Sequence, residues 1–346
     1  MATEPATSAH GQAILRFAWG VTAAFVMSEL FGWYPTFLAP ILTATLLASL
    51  PAALPFKGGL FLVLVQSASA FAALALSSML RESPVVLFGA VGLIIFLSFS
   101  TIAEGRAFLP TLLVLICFST IPIVTLAMPE QAAALPTAFA RGMGISVIIV
   151  WLTQAIWPKV LAKAPAASAL RGVQPVRLAL AGSAIVLPLM LVYLMYGLTD
   201  ALPVLITTVV LVVNFDPSRG AVQGVVMVLG NLVGGTIAVA CHALLEVAPS
   251  LFTLACMVFG LGLVFGRRIG LAGSAGAVGL ITFNQSIIIL SLGLVPGPSS
   301  PGIWATRLFQ FAIAYGFAVG LMYLILPRGN PPATETSSKA GAKAPV

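Results

Sequence analysis

Apolar residues run through this chain in stretches far longer than a core helix needs, broken by short polar turns. Window length predicts about twelve membrane spans: 14–31, 36–54, 58–80, 84–102, 108–128 and 136–157, then 176–196, 201–213, 220–245, 251–265, 271–294 and 303–326. A polar segment, 1–13, shows no cleavable signal pattern, so the first span reads as a retained anchor. A basic linker, 158–175, separates the two sets of six, and 327–346 has the Pro, Ala, Ser, Thr and Lys content of a disordered tail. One run departs from the pattern. It begins at Pro203 and stops before Asn214, too short for the ~20 residues that cross the ~30 Å hydrocarbon layer. It must tilt steeply, be broken, or be shielded by neighbours. The polar turn Asp216-Pro217-Ser218-Arg219 follows, then a helix spotted with Gly220, Gly224, Gly230, Gly234 and Gly235. Small residues let helix backbones come close in lipid, where no hydrophobic force drives association. A short Pro-headed segment beside such a helix is where a membrane transporter places its binding site.

Composition fixes the class. With 60% hydrophobic and 7% charged residues, and a mean hydropathy of +1.11, the 346-residue chain cannot cover a water-facing surface. It reads as an all-α polytopic membrane protein. The net charge of +7 reflects topology rather than a polyanion, so lipid and not nucleic acid is the expected surroundings. With the N-terminus in the cytoplasm, Arg16, Lys57, Arg106, Lys159, Lys163, Arg171, Arg177, Arg219, Arg267, Arg268, Arg328, Lys339 and Lys343 fall inside. Only Arg81, Arg141 and Arg307 fall on the outer half, whose loops carry Glu82, Glu130, Asp200 and Glu246. Both termini are therefore expected in the cytoplasm. Cys117, Cys241 and Cys256 lie in apolar runs without CxxC spacing and read as small core residues. No phosphate loop, HExxH, paired carboxylates or Ser/His/Asp pattern occurs, and there are two histidines. Neither an enzyme nor a metal or cofactor site is predicted.

The chain also repeats itself. Arg16 and Arg177 each open a span, and Pro40 in LAPILTAT aligns with Pro203 in ALPVLITT, pairing Thr45 with Thr208. Lys57-Gly58-Gly59 aligns with Arg219-Gly220-Ala221, ICFSTIPI with ITFNQSII, and Arg141 with Arg307. Six spans per unit is an even number. The units, 14–157 and 176–326, are thus expected to face the same way about an axis along the membrane normal.

On these residues, the basic turns leading into small-residue helices and the Gly234-Gly235-Thr236 ending, the chain resembles the fusaric-acid-resistance and aromatic-acid-exporter family of bacterial inner-membrane proteins. Longer members carry a large cytoplasmic domain where this chain has only its linker, so the resemblance is to a short, all-membrane branch. It implies residence in the bacterial inner membrane and export of small organic acids, aromatic carboxylates foremost. It also implies a periplasmic adaptor of the membrane-fusion type as a partner.

Candidate binding residues follow from polar groups inside the apolar runs. Thr43, Thr45, Thr207 and Thr208 lie in the two Pro-headed spans, where freed backbone groups and hydroxyls could line a cavity, or each Thr could bond its own helix. Ser119, Thr120, Asn284 and Gln285 sit at matching depths, and they and Asn231 could bind substrate or join helices at ~1 kcal/mol per bond. Arg141 and Arg307 suit a planar carboxylate, or snorkel to headgroups or pair with Glu130 or Glu246. Asp216 and Arg219 cap the turn and are candidates for a cytoplasmic gate pair; Glu29 reads as interfacial and His242 as a packing residue. The functional expectation is efflux by alternating access, helped by about 2.3 kcal/mol per 100 mV for each anion leaving an inside-negative cell. The alternative is a non-transporting scaffold or assembly subunit, whose polar residues only join helices. Glycine faces could pack between subunits as readily as within one, which leaves a homo-oligomer open.

Overall fold

The structure is a computed structural model that describes residues 4–50, 53–158, 175–197, 202–213, 220–270, 274–294 and helical positions scattered between 309 and 325. Among these residues there are α-helices, one 3₁₀ turn (Pro129–Gln131) and no strand. The helices are α1 (Glu4–Leu30), α2 (Leu38–Ser49), α3 (Phe56–Met79), α4 (Pro84–Ala103), α5 (Phe108–Ala127) and α6 (Ala134–Ile156). They continue as α7 (Pro175–Tyr196), α8 (Leu202–Val213), α9 (Gly220–Val247), α10 (Leu251–Ile269) and α11 (Ser274–Leu294). Among the described residues, 8 helices are long and apolar enough to cross a membrane, as in a multi-pass membrane protein. The linker at 159–174 and the tail at 327–346 lie outside the described residues.

Local chemistry sets the helix ends. Pro84 occupies the first turn of α4, where its missing N–H costs no hydrogen bond. Ser250 caps α10 by accepting from the Thr253 amide at 3.0 Å. The span expected over 36–54 is shorter than its apolar run: α2 has 12 residues. Leu50 turns to φ −74°, ψ 124°, the extended backbone that the following Pro51 imposes. Its expected counterpart α8 also has 12 residues. At 1.5 Å per residue each is about 18 Å long, well short of the hydrocarbon thickness.

Helix α5 is the most enclosed of the membrane-length helices, 72% buried against 33–50% for the others. It packs against α3, α4, α7 and α8. Around it, α1 lies on α2, α6 and α10, α2 on α6, α3 on α6, and α4 on α7; α11 packs on α9, α10 and α2. Close approach is set by small residues. A Cβ on Gly262 of α10 would lie 2.7 Å from the Ala18 Cα of α1, and one on Gly182 of α7 would strike the Phe99 ring of α4. At one end of the bundle, Arg16 donates to the Trp157 carbonyl at 3.3 Å, joining the first half of α1 to the residue that follows α6. At the other, the α1–α2 turn holds Phe31 stacked on Trp33. These two ends are called the Trp157 end and the Trp33 end below.

Candidate functional site

Helices α9 and α11 make the closest approach in the second half of the chain. A Cβ on Gly234 would lie 2.5 Å from the Thr282 carbonyl oxygen and 3.1 Å from the Gln285 Cβ, and one on Gly230 would lie 2.8 Å from the Thr282 hydroxyl. Only glycine lets these backbones meet, which is the reason for the small-residue pattern along α9. Gln285 is held against that contact, 1% exposed. Neither its amide oxygen nor its amide nitrogen has a hydrogen-bond partner. Beside it, Asn284 is half-buried with an enclosed, unpartnered Oδ1.

The α3–α5 contact in the first half carries an amide of its own. Gln66 is fully buried, donates from Nε2 to the Cys117 sulfur at 3.3 Å, and leaves Oε1 without a partner. At 1.5 Å per residue Gln66 lies about 15 Å along α3, and Gln285 about 16 Å along α11, close to the middle of a ~30 Å layer. Sequence reasoning passed over Gln66. The signal was available: a lone amide followed by Ser67, Ala68, Ser69 and Ala70 in an apolar span, the same feature that singled out Asn284 and Gln285.

The hydroxyl candidates behave differently. Ser119 and Thr120 are fully buried and both donate to the Ile116 carbonyl, at 3.0 and 2.7 Å. Thr208 donates to the Val204 carbonyl at 2.7 Å. These groups bond within their own helices, as serine and threonine do in apolar surroundings. Thr43 is the exception, fully buried with an unpartnered hydroxyl, facing α1 near Gly20. Thr45 is half-buried on the same helix. Arg141 is engaged at the Trp33 end: its Cζ stands 4.9 Å from the centre of the Trp33 ring, and Nη2 donates to the Tyr34 carbonyl at 3.5 Å. Asp216, Arg219 and Arg307 lie outside the described residues, as do the side chains of Thr207 and Asn231.

No hydrogen bond or described cleft joins these groups into one site. A groove of about 290 Å³ runs between α4 and α5, lined by Ser98, Thr101 and Thr111 among apolar neighbours. A cleft of about 530 Å³ opens between the start of α4 and the ends of α5 and α7, lined mainly by Pro84, Leu87, Pro122, Met190, Leu194 and Met195. Neither touches a candidate residue. Among the described residues no group of His, Cys, Asp and Glu could hold a metal ion.

Residues 13–153 match the model of a family described as a protein of unknown function, DUF2955. The match covers nearly all of α1 to α6, less than half of the chain, and its description attaches no activity to these helices. No curated protein and no solved structure gives a significant match.

Proposed function

We propose that the protein is a secondary transporter of the bacterial inner membrane that exports small organic acids, aromatic carboxylates foremost, with its Trp33 end outside. The observation that carries the reading is Gln285: a fully buried amide near mid-depth with both polar atoms unpartnered. An amide that joined helices would be hydrogen-bonded across its interface. This one leaves an unmet desolvation cost of ~1–3 kcal/mol, which a substrate carboxylate or water would relieve once the α9–α11 contact opens. Gln66 on α3 and Asn284 on α11 add acceptors and donors of the same chemistry.

Two six-helix units are supported by the packing itself. Adding six to each helix label carries α1–α10 onto α4–α7, α3–α5 onto α9–α11, α2–α11 onto α5–α8, and α4–α5 onto α10–α11, and all of these pairs pack. The two 12-residue helices are exchanged by the same operation. Same-facing units with short helices at their junction are the layout of an alternating-access carrier. The substrate class rests on the resemblance to aromatic-acid exporters, which also supplies the periplasmic adaptor as a candidate partner.

A scaffold or assembly subunit is the second reading, favoured by the dry packing around Thr208 and Gln285 and by clefts that reach neither. Labelled 4-hydroxybenzoate accumulation separates the two readings, compared in cells with the protein, without it, and with Gln285→Met or Arg307→Ala. The carrier reading expects higher retention without the protein and in the variants. Equal retention in all four strains removes it.

A further inference from the structure

Helices α9 and α11 run side by side in the same direction, and their contacts advance in step. Gly230 meets Val278 and Thr282, Gly234 meets Gln285, and His242 of α9 meets Gly293 of α11. From Gly234 to His242 the seam runs about 12 Å, at 1.5 Å per residue. It runs toward the Trp33 end, because Ser291 of α11 is hydrogen-bonded to Thr36 of the α1–α2 turn. Gly293 gives the imidazole its seat. A Cβ there would lie 3.2 Å from Nδ1, 3.4 Å from Cε1 and 3.5 Å from Cγ, so the ring lies over bare backbone in the last turn of α11.

The two ring nitrogens have different surroundings. Nε2 stands 3.6 Å from Oε1 of Glu246, one turn further along α9. Nδ1 is enclosed and has no hydrogen-bond partner. The last four carbonyls of an α-helix lack donors within it, and that end carries partial negative charge, which favours a histidine cation. The ring thus sits between a carboxylate and the carbonyl end of a helix. Other charges are remote from it. Helix α11 carries no titratable residue, and α10, which also packs on α9, has the exposed Cys256 and, in its last turn at the Trp157 end, Arg267 and Arg268. At the Trp33 end, Arg141 is held by Trp33 and the Tyr34 carbonyl, and Glu29 of α1 makes no described ion pair with His242.

We infer that His242 is a proton-operated latch on the α9–α11 seam, closed when the imidazole is protonated and released when it is neutral. The inference rests on the carrier reading above and adds its regulation, since the seam is the one that must open around Gln285. Glu246 draws the hydrogen of the neutral ring to Nε2, leaving Nδ1 with a lone pair facing carbonyl oxygens that repel it. A proton from the outer aqueous phase adds to that lone pair. Nδ1–H then donates to the α11 carbonyls while Nε2–H keeps Glu246, and charge assistance makes such bonds about twice as strong as neutral ones. Histidine changes charge between about pH 5 and 8, so an acid exterior closes the exit. In that medium an expelled carboxylic acid regains its proton and re-enters through lipid, and the latch halts this futile cycle.

The test uses the full chain in proteoliposomes at about pH 5.5 and about pH 8, either side of an ordinary histidine. Hydrogen–deuterium exchange in the last turns of α9 and α11, corrected for the pH dependence of intrinsic exchange, reads the latch without any transport. Several-fold greater protection at the acid pH is expected in the wild type. The difference should vanish in His242→Gln and in Gly293→Ala, whose methyl would stand 3.2 Å from Nδ1 and displace a histidine that is still present. Protection equal at both pH values, greater at alkaline pH, or unchanged in its pH dependence in both variants overturns the latch. The chain has two histidines, so the His242 imidazole resonance is assigned in a His10→Gln background, and its titration should share the midpoint of the protection change. Counterflow of labelled 4-hydroxybenzoate tests the carrier separately. A wild-type rate several-fold lower at acid pH, levelled in His242→Gln, supports both readings. Counterflow without the protection change leaves the carrier and removes the latch, and the protection change without counterflow at either pH does the reverse.

Discussion

Replacing Gln285 by Met removes the two unpartnered amide atoms while keeping the length and nearly the volume of the side chain. The residue is 1% exposed, so bulk solvent does not reach those atoms in the folded protein. Burying an amide without a hydrogen bond costs ~1–3 kcal/mol in protein mutational data. Met loses a similar rotamer entropy on burial, so that contribution cancels to first order. The unfolded reference of a membrane protein still lies in lipid, where the amide finds partners less readily than in water and the difference shrinks. Gln285→Met is therefore expected to stabilise the fold by about 1 kcal/mol, roughly a fivefold shift in the unfolding equilibrium. It should also lower 4-hydroxybenzoate efflux at least tenfold if the amide meets substrate. The assay is reversible denaturation of purified protein in mixed micelles, followed by tryptophan fluorescence, alongside the efflux measurement. A loss of 1 kcal/mol or more would refute the reasoning, because it would mean that the amide holds partners across the α9–α11 contact.

Three further outcomes follow from the same geometry. Gly234→Ala places a methyl 2.5 Å from the Thr282 carbonyl oxygen and should destabilise by ~1–3 kcal/mol through overpacking; Gly260→Ala, with nothing within 4 Å, should be neutral or stabilising in the same denaturation assay. Thr208→Val deletes a hydroxyl that bonds only its own helix at Val204, so stability should change by less than ~1 kcal/mol and efflux by less than twofold; a tenfold loss of efflux would restore Thr208 as a binding residue. Arg141→Ala removes the cation–π contact with Trp33 and the bond to the Tyr34 carbonyl, at a cost of ~0.5–1 kcal/mol. Trp33 should then become more accessible to acrylamide quenching in a background lacking the other tryptophans.

The fold class was legible because lipid imposes one severe demand, twenty or so apolar residues per span, and each run answers it separately. Helix ends followed the sequence where a proline or serine stands at the boundary, as at Pro84 and Ser250. They departed from it where apolar residues continue beyond the helix, as after Ser49, because hydropathy does not register the backbone restriction that Pro51 places on Leu50. The amides were half legible. Asn284 and Gln285 stood out as an adjacent pair, whereas Gln66 stood alone among small residues and passed as an ordinary span residue. Which polar groups lack partners was not legible at all. Thr120 and Thr43 have the same side chain in equally apolar surroundings; one reaches the Ile116 carbonyl and the other finds nothing, a difference decided by rotamer and neighbouring helix. Arg141 was weighed for a substrate carboxylate, for headgroups and for Glu130 or Glu246, and its contact with the α1–α2 turn was missed because the sequence does not reveal that the turn folds under it.

The tie between Arg16 and the Trp157 carbonyl has a consequence for biogenesis. The two residues leave the ribosome about 140 residues apart, and synthesis at roughly 5–20 residues per second separates them by roughly 7–30 s. Throughout that interval Arg16 lacks its carbonyl partner at the end of α6, and its guanidinium must find another acceptor, such as a lipid phosphate. A pause in translation before α6 prolongs the exposure, so codon choice upstream of residue 134 bears on the yield of correctly inserted protein.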